Sequence, residues 1–159
     1  MLDIQIVSDL HIEKNNCTNI NGLDYIIPSA SILILAGDIG SLYKFNQLYN
    51  FFNSIYNYFK YILYVPGNNE YYNINNIDKI PFDNLNLRLL KLQKFFSNLK
   101  ILNKSYTIID NYLFCGCVLW SFIQYNLPNF VKIYDFNKEI YNNKNLIEKK
   151  YIQHIINVS

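Results

Sequence analysis

The chain reads as an α/β protein organised on parallel strands, and three observations predict it. Ile32–Ala36 and Tyr61–Val65 are short, uninterrupted apolar runs, the pattern of strands buried on both faces. Between them Phe45, Leu48, Tyr49, Phe52, Ile55, Tyr56 and Phe59 recur at helical spacing, so strand, helix and strand form a βαβ unit with a right-handed crossover. Three strand candidates each run into a loop carrying oxygen or nitrogen ligands, and sites of open α/β sheets form at the carboxyl ends of strands.

In chain order, Ile4-Gln5-Ile6-Val7-Ser8 is the first strand, followed by Asp9-Leu10-His11. Residues 13–29 read as a polar loop, broken by Asn15-Asn16, Asn21-Gly22 and Pro28-Ser29. The run Ile32–Ala36 delivers Asp38 into a turn flanked by Gly37 and Gly40, and Ser41 is the expected N-cap of the first helix. After Tyr61–Val65 come Pro66-Gly67-Asn68-Asn69-Glu70 and an Asn-rich loop over residues 71–81. A second helix is expected to start at an Asp83 cap and to bury Leu85, Leu89, Leu92, Phe96 and Leu99. Ile101-Leu102 reads as a short strand. Residues 106–109 and 113–119 read as a hairpin around Asp110-Asn111, two residues that tolerate positive φ. Residues 125–138 read as loop, including Asp135, and 145–156 as a last helix with His154 on its solvated side; Trp120 is expected in the core.

With 159 residues, 51% of them hydrophobic, one domain over 1–159 is expected, large enough to fold without a disulfide or structural metal. A net charge of +2 with scattered Lys and Arg does not indicate a nucleic-acid partner. The start Met1-Leu2-Asp3 has no basic segment ahead of an apolar one, and no apolar run reaches the roughly 18 residues of a membrane span. Together with an odd count of three cysteines, this leads to the expectation of a soluble, cytoplasmic protein. Cys115-Gly116-Cys117 is expected to place two buried, inert thiols on one strand face.

The chemistry lies in the three strand-end loops. Asp9 and His11, two apart, can reach one cation. Asp38 has two oxygens and can bridge two ions, and Asn68 offers an amide oxygen to the second. A bridged metal pair supplies a hydroxide nucleophile and clamps a phosphate for in-line displacement.

Ser8-Asp9-Leu10-His11, Ala36-Gly37-Asp38-Ile39-Gly40 and Pro66-Gly67-Asn68-Asn69-Glu70 resemble, in order, the first three motifs of calcineurin-like metallophosphoesterases. Residues 113–121 resemble a stretch that follows these motifs in some bacterial and viral members. The resemblance implies a metallophosphoesterase-type sheet sandwich flanked by helices, truncated at its C-terminus. It also implies a hydrolase of phosphate mono- or diesters using two divalent ions such as Mn²⁺, Fe²⁺/Fe³⁺ or Zn²⁺. Carried over by position, Asp9 and His11 bind the first metal, Asp38 bridges, and Asn68 binds the second.

Two positions depart from the family pattern. Asn69 stands where the family's third motif has the histidine that protonates the leaving group; an amide cannot deliver that proton at neutral pH. The family's later His-rich and Gly-His-x-His motifs are absent from a chain whose histidines are His11 and His154 alone. A weakened phosphoesterase is therefore the first expectation. An inactive scaffold that binds a protein partner, or one piece of a split gene seeking its other half, is the alternative.

Overall fold

The computed structural model describes residues 2–73 and 80–119. Its centre is a four-stranded, all-parallel sheet of β1 (Ile4–Val7), β2 (Ile32–Ala36), β3 (Tyr61–Val65) and β4 (Leu99–Ile101), in spatial order β1-β2-β3-β4. Helix α1 (Phe45–Ile55) joins β2 to β3, and α2 (Phe82–Phe95) precedes β4. Strands β5 (Ser105–Ile109) and β6 (Tyr112–Gly116) form an antiparallel hairpin. The expected mixed α/β architecture with a parallel sheet is what the chain adopts.

The two central strands are apolar throughout because each of their faces has a cover. Leu33, Leu35, Ile62 and Tyr64 pack with Leu48, Phe52, Ile55, Leu85, Leu89 and Leu92 in the main core. Ile32 and Leu63 face the other way and pack with Leu102 and Ile109. This is the period-two alternation of a strand. Among the described residues strand β1 lies at the sheet edge, and its Ile4 and Ile6 are exposed.

Several local expectations are corrected. Helix α2 begins at Phe82 with Pro81 as its cap residue, so Asp83 sits inside the first turn, where its charge meets the positive end of the helix dipole. Phe96 is extended (φ −120°, ψ 107°), which ends the helix and puts Leu99 on β4. The short strand is thus Leu99–Ile101, not 101–102. Ser41 caps a 3₁₀ turn over Leu42–Lys44, accepting from the Tyr43 amide at 3.2 Å, one turn before α1. Phe51 and Gln47 are buried on α1, whereas the expected Phe45, Tyr49 and Tyr56 are only partly covered. The segment 13–29 is not merely polar: Ile20 and Ile26 drop into the core, and Asn21 caps a 3₁₀ turn. Tyr71 and Tyr72, read as loop, are buried too.

The hairpin turns at Asp110 (φ 47°) and Asn111 (φ 66°) as expected. Cys115, however, is exposed, and Cys117 lies past the end of β6, half-buried. Alternation places residues on opposite faces but does not say which face is covered. Trp120, Asp135, His154 and the segments 125–138 and 145–156 lie outside the described residues. Among the described residues no helix is long and apolar enough to cross a membrane.

Candidate metal centre

The loops after β1, β2 and β3 stand side by side because their strands are adjacent and parallel. The first two loops continue the pairing beyond the sheet. The Asp9 amide donates to the Gly37 carbonyl at 3.0 Å, His11 to Asp38 at 3.0 Å and Ile12 to Ile39 at 2.9 Å. Asp9, His11 and Asp38 all have positive φ (57°, 49° and 56°), a left-handed conformation that L residues rarely adopt. Strain of this kind collects at functional sites. One ligand atom from each of the three side chains lies within 4.8 Å of the others.

The second and third loops touch through glycine. Gly37 has φ +90°, and a Cβ there would sit 3.2 Å from the Gly67 Cα. A Cβ on Gly67 would run into Asp38 Oδ1 and lie 2.7 Å from the Asp38 amide nitrogen. Glycine at 67 thus makes room for the carboxylate of Asp38.

Glu70 fastens the two loops. It is fully buried, and its Oε1 accepts from the Ile39 amide (2.7 Å), the Tyr64 hydroxyl (2.7 Å) and, at the limit of contact, the Gly40 amide (3.5 Å). Its Oε2 accepts from the amides of Gly67 (2.7 Å) and Asp38 (3.1 Å). Burial nonetheless raises its pKa above the ordinary glutamate range, the bonds from Tyr64 and Ile39 opposing. Burial and then the Glu70 charge hold the Tyr64 phenol far above its usual range, so it remains a donor.

Asn69 turns back on Asp38. Its amide nitrogen Nδ2 donates to Asp38 Oδ2 at 2.6 Å, and its backbone N–H donates to Oδ1 at 3.1 Å. Asn68 Nδ2 donates to the Tyr72 hydroxyl at 2.6 Å. His11 Nδ1 lies 3.0 Å from Glu13 Oε1. Glu13, Tyr64 and Tyr72 were not singled out in the sequence. Only the spacing of Asp9, His11 and Glu13, each two residues apart, hinted at the first of them.

Two carboxylates and an imidazole are a fitting donor set for a divalent transition ion. Among the described residues this is where three such groups meet. The Asp-His-Asp grouping at the strand ends is a candidate metal site, and residues 2–156 match the calcineurin-like phosphoesterase family. The chain belongs to that family.

The chain is also similar to uncharacterized protein L509 of Acanthamoeba polyphaga mimivirus, at 34% identity over 152 residues, covering 89% of this chain and 54% of that protein. It therefore spans about half the length of the curated relative it matches. A solved structure, 14% identical, overlaps 73% of this chain and 52% of its own at a TM-score of 0.48, too loose a likeness to argue from.

Proposed function

We propose that this chain carries the metal-binding loops of a metal-dependent phosphoesterase acting on phosphate mono- or diesters. The observation that supports this most directly is the convergence of Asp9, His11 and Asp38 at the carboxyl ends of β1 and β2. In this reading Asp9, His11 and Asp38 would hold one ion, and Asp38 and Asn68 would offer oxygens to a second. Bound there, such ions would supply Lewis acidity toward phosphoryl oxygens and a nucleophile at neutral pH.

The chain's own contribution is position. Glu70, through the amides of Asp38 and Gly67, holds the second loop against the third. Asn69 fixes both oxygens of Asp38 and has no proton to give a leaving group. General-acid help is worth roughly 10²- to 10⁴-fold, so alkyl esters, whose leaving groups need that proton most, should lose about that factor relative to esters with good leaving groups.

The test is Mn²⁺-dependent hydrolysis of bis(p-nitrophenyl) phosphate by the purified chain, with Asp38→Asn alongside. Turnover that requires the ion and disappears in Asp38→Asn is the expected result. Turnover equal in both proteins, or absent from both, overturns the enzymatic reading. The second outcome favours a binding scaffold in which Asn69, engaged with Asp38 rather than poised as an acid, marks a site turned from chemistry to structure.

A further inference from the structure

Glu13 is a buried carboxylate that neither the fold nor the ligand set accounts for. Its side chain is 3% exposed, and its Oε2 is buried with no hydrogen-bond partner among the described residues. Its Oε1 meets His11 Nδ1 at 3.0 Å. Lys44 is nearby, but its ammonium donates to the Glu13 backbone carbonyl at 2.6 Å. That contact ties the loop to the start of α1 and does not neutralise the acid.

A carboxylate taken out of water with one oxygen unpaired is costly. A cation on the far side of the ring would offset part of that cost. With Nδ1–H donating to Glu13, the ring nitrogen left for a cation is Nε2, and His11 already shares its ligand cluster with Asp9 and Asp38.

We propose that Glu13 is a positioning residue of the metal centre. It locks His11 as the Nδ1–H tautomer, so that Nε2 presents its lone pair, and its charge makes that nitrogen a stronger donor. Carboxylates behind metal-bound imidazoles act in this way, and their loss lowers metal affinity by about 10- to 100-fold. The inference rests on the metal-site reading above, and the experiment separates the two.

The chain's two histidines make ¹⁵N-histidine labelling simple. The ¹⁵N spectra report the tautomer of His11, with a His154→Gln variant for assignment. Co²⁺ titrations followed by absorption report affinity. Wild-type protein is expected to show His11 as the Nδ1–H form. Folded Glu13→Ala is expected to shift it toward Nε2–H and to bind Co²⁺ about 10- to 100-fold more weakly. Glu13→Gln keeps an acceptor oxygen but not the charge, so it should keep the tautomer and fall between the two in affinity.

An unchanged Co²⁺ affinity in folded Glu13→Ala overturns this proposal and leaves the metal-site reading standing. Should Glu13→Ala unfold, an affinity of Glu13→Gln equal to wild type does the same. No Co²⁺ binding by the wild-type chain overturns the metal-site reading itself, and this proposal with it.

Discussion

Two carboxylates, at opposite ends of the sheet, tie neighbouring segments together in opposite environments. At the amino ends of the strands Asp3 accepts from the Ser31 hydroxyl (2.6 Å) and amide (2.8 Å) on an exposed surface. Those bonds lower its pKa. At the carboxyl ends Glu70 accepts from four backbone amides and a phenol, yet burial raises its pKa. Asp3 joins two segments that would stay adjacent without it, since β1 and β2 are already paired. Glu70 joins two loops that have left the sheet and carry Asp38, Asn68 and Asn69. Solvent exposure therefore decides how much each tie matters. Water would replace Asp3's bonds at little cost, whereas nothing replaces those of Glu70.

The sharpest way to break that contrast is Glu70→Gln. In either orientation the new NH₂ faces buried donors. At roughly 1–3 kcal/mol for each donor left unpaired, denaturant unfolding should show a loss of about 2–5 kcal/mol. A loss below about 1 kcal/mol would mean that the loops hold together without their central acceptor.

Gly67→Ala comes next. The added methyl collides with Asp38 Oδ1, and overpacking of this kind costs about 1–3 kcal/mol. Because the carboxylate itself must move, Co²⁺ affinity should fall as well. Retained affinity would show that Asp38 can shift without leaving the ligand cluster.

Asp3→Asn should have the smallest effect, and a pH-dependent one. A lowered folded-state pKa means that its contribution is present above the ordinary aspartate range and is lost as pH falls through the folded value. The stability difference between wild type and variant, read from unfolding curves, should therefore hold above the ordinary aspartate range, about 3.9, and shrink as pH falls below it. Curves that stay parallel would remove Asp3 from the comparison.

The sequence made the sheet legible because burial on two faces leaves a mark that needs no partner to be known. The bounds of β2 and β3 are those of the apolar runs Ile32–Ala36 and Tyr61–Val65. The gathering of Asp9, His11 and Asp38 was legible for a related reason, since adjacent parallel strands bring their ends together. What stayed hidden depends on three-dimensional contact. The Glu70 bonds to Ile39 and Asp38 span 31 and 32 residues of sequence. The turn of Asn69 onto Asp38 and the burial of Glu13 behind His11 follow from backbone angles no spacing rule supplies. The start of α2 was misplaced because Asp83 is a good cap by type, and Pro81 supplied the geometry instead. The exposure of Cys115 was missed because an alternating strand announces two faces and leaves unsaid which one meets water.

The left-handed backbone at His11 also bears on how this chain would change under selection. A non-glycine residue in that region gives up about 1–2 kcal/mol that glycine would recover. A library screened for heat resistance alone should therefore collect glycine at positions 9, 11 and 38, with the gain at 11 offset by the buried Glu13 carboxylate left without its His11 partner. Each such gain would erase a side chain of the cluster. In this chain the ligand positions are thus the ones where greater durability and a working site call for different residues.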